Sequence, residues 1–267
     1  MMCKLYNVTR AGYYAWRKRT PSNRKLEDMS LLKEIRHIYE KSRSTYGSPR
    51  IYQVLKAKGI SIGKKRVERI MRENSIKARS VKMYRANPAI KSFYIKTPNR
   101  ERKKEISNTN QVWVGDLTYL KVNNTNKYLA VVMDKHSRRV IGWSLGDKKN
   151  ARLTTQALNN AVLSRKPKAG TVFHSDRGME YGSHRFSKRL KELGFIQSMN
   201  RVKNMNDNAF MESFFHSFKL EYYHGKVFTC MSELRRMIES YMPFYNYKRI
   251  HSSLGYVSPV QFERNLC

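Results

Sequence analysis

Cysteine, acidic residues and long apolar runs are all scarce in this sequence of 267 residues. The three cysteines, Cys3, Cys230 and Cys267, are odd in number and form no Cys-x-x-Cys pair, which argues against a disulfide framework or a zinc site. The longest uninterrupted apolar run, 128–133, is far too short to span a bilayer, and residues 1–6 contain no apolar signal core. We therefore expect a cytoplasmic protein with reduced thiols and no membrane insertion.

The shortage of acidic residues leaves a large positive charge. Lys and Arg number 54 against 20 for Asp and Glu, and the net charge of +34 is far more than solubility requires. Such a surface binds a polyanion, and nucleic acid is the usual partner because each neutralised phosphate releases condensed counterions. An anionic membrane surface is the competing interpretation, which the absence of an apolar anchor disfavours. The composition thus predicts a nucleic-acid-binding protein.

The N-terminal region, assigned to residues 1–76, has the pattern of a basic helical domain. Helical periodicity runs over residues 30–76, where Gly59 separates two short segments in a helix-turn-helix outline. The second segment, 63–74, has one apolar face, and opposite it a basic stripe of Lys65, Arg69 and Arg72. We predict that this stripe contacts DNA; the alternative is a solvated basic face on an ordinary helix pair. Residues 77–111, basic and interrupted by prolines, are interpreted as a linker.

After Gln111 the pattern changes to strands and then to strands alternating with helices. Strand patterns cover 112–122, 128–134, 140–145 and 171–174, and helical patterns follow residue 153 and cover 186–193 and 232–242. This order predicts an α/β sheet covered on both faces over residues 112–267. The aromatic residues Trp113, Tyr119 and Trp143 are interpreted as core residues.

Three carboxylates stand out by their settings. Asp116 interrupts an apolar strand, where a charge is costly unless it is paired or bound to metal. Asp176 follows a short strand, at the edge where open α/β sheets place their sites. Glu212 lies off the apolar stripe of a helix for which Asp207 is the predicted cap. Each has a structural explanation when taken alone, but all three can converge on one rim of the sheet.

The spacing of these carboxylates resembles that of a known superfamily. Positions 177–211, 35 residues, separate Asp176 from Glu212, as in the DDE integrases and transposases. Further motifs narrow the resemblance to the OrfB transposases of the IS3 insertion-sequence family, from about Tyr6 to the C-terminus. They are Tyr46-Gly47-Ser48-Pro49-Arg50, Trp113-x-x-Asp116-Leu117-Thr118-Tyr119, His174-Ser175-Asp176-Arg177-Gly178, Asp207-Asn208-Ala209-x-x-Glu212-Ser213-Phe214-Phe215 and Tyr245-Asn246-x-x-Arg249-x-His251-x-x-Leu254-Gly255.

The resemblance implies a ribonuclease-H-like integrase catalytic core preceded by an all-α, helix-turn-helix-like region. It implies metal-dependent cleavage of DNA ends and strand transfer, in which Asp116, Asp176 and Glu212 hold Mg²⁺ or Mn²⁺ as two ions. Water attacks in end cleavage and a DNA 3′-hydroxyl in strand transfer. In this superfamily the basic residue two helical turns after the glutamate, here Lys219, resembles one that contacts the transposon end.

The resemblance also implies partners. They are double-stranded DNA of the transposon ends and the target, further copies of the chain in a synaptic homo-oligomer, and an upstream OrfA frame with which the chain would be fused by frameshifting. When bound to DNA the protein is expected at the nucleoid. The family motif from Tyr245 to Gly255 has no role that the sequence alone explains.

Two other functions remain open at the level of sequence. A DNA-binding regulator without catalysis would share the basic N-terminal helices, but the triad is complete. A ribonuclease-H-type nuclease would share the fold and the metals without needing those helices.

Overall fold

The computed structural model describes residues 8–18, 20–78, 98–101, 105–201 and 205–266. Contacts divide the chain into two compact units, Met1–Ala78 and Arg79–Cys267. Most of the linker predicted over residues 77–111 lies outside the described residues. Among the helices within these ranges, none is long and apolar enough to cross a membrane.

The first unit contains four described helices: α1 (Arg10–Lys18), α2 (Asn23–Lys41), α3 (Ser48–Ala57) and α4 (Lys64–Glu73). The helical pattern was predicted from residue 30, but α2 begins at Asn23 because the Ser22 hydroxyl accepts a hydrogen bond from the Lys25 amide. Helices α2 to α4 bury a shared apolar core of Ile35, Ile38, Ile51, Leu55, Val67, Ile70 and Met71. This helical region agrees with the predicted fold class.

Salt bridges between α2 and α4 add to the contacts of this apolar core. The Asp28 carboxylate on α2 accepts hydrogen bonds from Arg66 Nε at 2.7 Å and from Arg69 Nη2 at 2.6 Å, both on α4. The guanidinium of Arg69, and then that of Arg66, hold the pKa of Asp28 below its ordinary value. Two of the basic side chains of α4 therefore fix this helix against α2.

The second unit is built on a five-stranded sheet. Its strands are β1 (Val112–Val122), β2 (Thr125–Asp134), β3 (Val140–Gly146), β4 (Val172–Ser175) and β5 (Ile196–Met199), in the order β3-β2-β1-β4-β5. Strands β1, β2 and β3 pair antiparallel, whereas β4 is parallel to β1 and β5 is parallel to β4. The predicted α/β sheet is confirmed, and the strand β5 is an addition to it.

The first hairpin is tighter than predicted. Strand β2 begins at Thr125 rather than at residue 128, because Asn123 and Asn124 alone make the turn. Their φ angles are 45° and 61°, the left-handed values that a two-residue hairpin requires and that asparagine tolerates.

Helices cover both faces of the sheet. They are α5 (Ala151–Arg165), α6 (His184–Glu192), α7 (Ala209–Phe218), α8 (Met231–Pro243) and α9 (Pro259–Arg264). One core packs the side chains of α7 and α8 against one face, and a second core packs those of α5 and α6 against the other. Helix α8 begins at Met231 with Cys230 as its cap residue, one residue before the predicted start at 232.

Helix α5 approaches β3 at Gly142 so closely that only a hydrogen fits. A Cβ atom there would lie 2.4 Å from the Ala157 carbonyl oxygen and 2.5 Å from the Ala161 amide nitrogen, both backbone atoms. At Gly146 in the same strand, a Cβ would meet only the end of the flexible Leu153 side chain, at 3.0 Å.

We expect Gly142→Ala to destabilise the second unit by about 1–3 kcal/mol, because the helix backbone must move. Gly146→Ala is the matched control and should cost clearly less. Hydrogen exchange of the β3 amides, measured on the full chain, checks both. Equal hydrogen-exchange protection in the two variants would show that the close approach of α5 to Gly142 does not determine the stability of this unit.

Candidate active site of three carboxylates

The parallel pairing of β1 with β4 brings Asp116 and Asp176 together. In this ladder Gly115 is opposite Ser175; Asp116 is the next residue of β1, and Asp176 directly follows the end of β4. Paired positions of parallel strands point to the same face, so both carboxylates lie on one side of the sheet edge. Both side chains are half-buried.

Local backbone groups hold each carboxylate. The Leu117 amide donates to Asp116 Oδ1 at 2.7 Å, and the Gly178 amide donates to Asp176 Oδ1 at 3.0 Å. A Cβ on Gly178 would lie 2.9 Å from Asp176 Oδ1 and 2.8 Å from Glu180 Oε2. A side chain at position 178 would therefore displace both carboxylates, and Glu180 is a further carboxylate beside the site that the sequence analysis missed.

Helix α7 carries Glu212. Its buried face consists of Met211, Phe214, Phe215 and Phe218, and Glu212 is exposed, off that face as predicted. The predicted cap is wrong: Asn208 precedes the helix, whereas the Asp207 carboxylate accepts hydrogen bonds from Arg201 and Asn99. Asn208 Nδ2 instead donates to the Gly115 carbonyl at 3.4 Å, which ties the start of α7 to the residue before Asp116.

The three carboxylates repel one another. Burial, the charge of Asp176 and more weakly that of Glu212 raise the pKa of Asp116 to about 8, although the Leu117 hydrogen bond opposes this. Burial likewise raises the pKa of Asp176. Lys149 acts in the opposite direction on both aspartates, because its positive charge lowers their pKa values. The site thus concentrates negative charge that a further cation would stabilise.

The donor set fits a hard divalent cation. The candidate ligands are carboxylate oxygens, which Mg²⁺ and Mn²⁺ prefer, and burial raises the pKa values of the two aspartates because their charges are poorly solvated. In the part of the chain that the structure describes, no group of three or more His, Cys, Asp or Glu side chains is close enough to form a ready ligand shell. The carboxylates therefore lie within electrostatic range of one another without closing around an ion.

Lys219 follows α7 directly, at the start of a π-helical turn, Lys219–Tyr223. Its Nζ lies 4.8 Å from the centre of the Tyr119 ring, and burial lowers its pKa while the nearby charge of Asp116 raises it. Tyr119 was interpreted as a core residue, and this is wrong: the side chain is 56% exposed. Trp113 is buried in the second core, and Trp143 packs, partly buried, against the first.

The predicted basic stripe on α4 is divided in two. Lys65 and Arg72 are exposed. Arg69 is half-buried and bonds to Asp28 at 2.6 Å and to Glu73 at 3.1 Å. This side chain therefore already has a structural partner, which the sequence pattern did not indicate.

A buried ion pair explains the position of the motif from Tyr245 to Gly255. Arg249 donates to Glu221 through Nη2 at 2.6 Å and through Nε at 2.8 Å, and both side chains are buried. Nη2 of Arg249 also donates to Ser217 Oγ, on α7 itself, at 3.2 Å. The pair therefore links this motif to the helix that carries Glu212.

Asn246 makes a second link from the same motif. Its side-chain amide donates to the Val140 carbonyl at 2.8 Å and accepts from the Val140 amide at 2.9 Å, so it pairs like a strand residue with the start of β3. Asn246 lies in a second π-helical turn, Phe244–Lys248, which continues α8. The motif therefore joins the edge of the sheet to helices α7 and α8.

His174, which the sequence analysis left without a role, is fully buried. Its ring nitrogens lie 2.9 Å from Ser198 Oγ and 2.8 Å from Asn200 Oδ1, and burial lowers its pKa. These contacts join β4 to β5 and to the residue directly after β5, so His174 has a structural role.

Comparisons with known proteins agree with this fold and site. An HTH-like domain model matches residues 25–84, and two integrase core domain models match residues 107–205 and 193–259. A chain of the simian T-cell lymphotropic virus intasome structure, solved with the PP2A regulatory subunit B56 gamma, shares the fold, with a TM-score of 0.50 and 13% identity over 85% of this chain and 73% of that one. The protein is thus of the integrase-core class of polynucleotidyl transferases.

Curated relatives define the class more closely. The chain is 34% identical to the 31 kDa protein of insertion element IS600 from Shigella sonnei, over 98% of this chain and 97% of that one. It is also 34% identical to the transposase InsF for insertion sequence IS3A from Escherichia coli K12, over 98% of this chain and 92% of that one. The chain belongs to the IS3 family of insertion-sequence transposases.

We expect Arg249→Met to destabilise the second unit by about 3–5 kcal/mol, because it leaves the Glu221 charge buried without a partner. Replacing both residues by Met should recover part of this loss. Glu192→Gln, which removes an exposed pair with Arg189, is the control and should cost about 0–1 kcal/mol. Urea denaturation measures all three, and a single variant no worse than the control would contradict the role of the pair.

Without divalent metal, Asp116→Asn should stabilise the protein more at pH 8 than at pH 5. The folded pKa near 8 lies above the ordinary value of 3.8, so the wild type loses stability as the pH rises from about 4 towards 8, while the Asn variant does not. Thermal melts in a chelating buffer measure this difference. Glu239→Gln, on an exposed carboxylate of α8, is the control. If the difference in melting temperature between the wild type and Asp116→Asn did not change with pH, the raised pKa assigned to Asp116 would be contradicted.

Proposed function

We propose that this protein cleaves DNA at the ends of its insertion sequence and joins those ends to a target, with Asp116, Asp176 and Glu212 as the catalytic, metal-binding residues. The observation that carries the proposal is the convergence of two half-buried aspartates, adjacent in the β1–β4 register, with a glutamate on the helix tied to the same strand. Family membership and the integrase core matches support it.

The chemistry matches what the site offers. Divalent Mg²⁺ or Mn²⁺, which we propose as two ions, would activate the attacking oxygen and stabilise the leaving one. The three carboxylates would hold these ions, and their mutual repulsion gives a reason for binding them. In cleavage, water attacks the phosphorus and the bond to the 3′ oxygen breaks. In transfer, the released 3′-hydroxyl attacks the phosphorus of a target phosphodiester, the bond from that phosphorus to the target's 3′ oxygen breaks, and the target strand leaves with a 3′-hydroxyl. No protein nucleophile is needed.

DNA contacts are proposed at both units. Lys65 and Arg72 are the exposed members of the basic stripe and are suited to phosphate contact. Arg69 belongs to the same proposal, although its bonds to Asp28 and Glu73 make it mainly a support for the helix. Lys219, beside Asp116 and over the Tyr119 ring, is suited to contact the transposon end. The net charge of +34 favours double-stranded DNA as the ligand.

The test is cleavage and strand transfer on labelled element-end DNA with Mg²⁺ or Mn²⁺. Asp176→Asn should lower the rate at least about 100-fold, since even residues that only orient metal ligands commonly contribute 10- to 100-fold. Glu239→Gln removes an exposed carboxylate of the same unit and should leave the rate unchanged.

Each protein is assayed alone and fused to the upstream frame that the family resemblance implies. Binding without cleavage in every protein and with either metal would favour a non-catalytic regulator. Cleavage of an RNA–DNA hybrid in preference to element ends would favour a ribonuclease-H-type nuclease.

A further inference from the structure

The position of one lysine beside the acidic site is not explained by the three carboxylates alone, because this lysine pairs with a fourth carboxylate. Lys149 lies immediately before Asn150, the cap residue of α5, and its Nζ is 3.6 Å from Glu180 Oε2. The lysine side chain is 50% exposed, whereas the glutamate side chain is only 10% exposed. The cation therefore sits at the mouth of the site, on a carboxylate that the fold buries.

Glu180 is held in a defined turn. The Tyr181 and Gly182 amides donate to the Gly178 carbonyl, each at 3.1 Å, and Ser183 Oγ donates to the Glu180 carbonyl at 2.9 Å. Gln197 on β5 donates to the Tyr181 carbonyl at 2.8 Å. Because this turn starts directly after Asp176, it holds the Glu180 carboxylate, to which Lys149 pairs, close to the proposed catalytic aspartates.

The charge of Lys149 reaches both aspartates. It lowers the pKa of Asp116 and of Asp176, while Lys219 interacts electrostatically with Asp116 from the end of α7. The two lysines come from different elements, one before α5 and one after α7. A phosphodiester bound at the aspartates would therefore meet a cation from each of these elements.

The ion pair between Lys149 and Glu180 is weak enough for Lys149 to exchange one partner for another. An ion pair at 3.6 Å with a half-exposed lysine contributes little to stability, about 0–1 kcal/mol. A phosphate oxygen offers the same ammonium a charge-assisted hydrogen bond. When a phosphate oxygen replaces Glu180 as the partner, the positive charge of Lys149 remains paired.

We propose that Lys149 contacts the substrate in the reaction centre. When DNA binds, the Lys149 ammonium moves from Glu180 and donates a hydrogen bond to a non-bridging oxygen of the DNA phosphodiester beside Asp116 and Asp176. Glu180 is then a positioning residue that holds the lysine in place before DNA arrives. This inference rests on the proposed cleavage and transfer function.

Single-turnover cleavage at saturating DNA tests the contact. Lys149→Gln should lower the rate about 100-fold, as the loss of one donor to the reacting group commonly does. Lys149→Arg should keep most of the rate, because a guanidinium also donates to phosphate. Lys148→Gln removes the neighbouring exposed lysine and is the matched control. It should weaken DNA binding to a similar extent as Lys149→Gln and leave the saturated rate unchanged. Equal rates for the two Gln variants would overturn the proposal.

Amine labelling followed by mass spectrometry separates this proposal from the function on which it rests. Bound element-end DNA should protect Lys149 from acetylation in both the unsubstituted chain and Asp176→Asn. Protection without cleavage in the unsubstituted chain would refute the proposed function and leave the contact standing. Cleavage with Lys149 fully reactive in the complex would refute the contact alone.

Discussion

Two like charges in a half-buried position are the constraint on which the catalytic unit depends. The β1–β4 register makes Asp116 and Asp176 neighbours; burial raises the pKa of both, and the charge of Asp176 raises that of Asp116 further. An arrangement this costly persists only when the surrounding structure fixes it. The backbone donors of Leu117 and Gly178 and the charge of Lys149 provide that support. The same cost would favour cation binding at the proposed site, so stability and the proposed chemistry oppose one another here.

The helix that completes the site is fixed at both ends. Asn208 ties its start to the strand of Asp116, and at its other end Ser217 and Glu221 bond to Arg249. Between these points the aromatic face of α7 packs into the first core. Glu212 can therefore remain exposed without becoming free to move away from the aspartates. The family motif after α8 serves this purpose at a distance, through the buried ion pair of Arg249 with Glu221.

The sequence was informative wherever a residue departed from its local pattern. A charge inside the apolar strand 112–122, an aspartate directly after a strand and a glutamate off an apolar stripe led to the three carboxylates, and the structure brings these together. Surroundings that depend on residues distant in the sequence left no such pattern. The Arg69–Asp28 pair, the Lys149–Glu180 pair and the exposed Tyr119 could not be predicted for that reason. Strand β5 has only four residues, Ile-Gln-Ser-Met, and forms because β4 offers it a partner. The Asp207 cap failed because a nearby arginine competed for the carboxylate.

The two π-helical turns have a consequence for how the length of this protein can vary. Each adds about one residue per turn relative to an α-helix, one directly after α7 and one directly after α8. Because the extra residue is confined to the turn, deleting one residue from Lys219–Tyr223 would convert this turn to an ordinary α-helical one and leave Glu212 in place. Among relatives, insertions and deletions of one residue should therefore be tolerated better in these two segments than inside the continuous helices α7 and α8, as long as the partners Glu221 and Arg249 are kept.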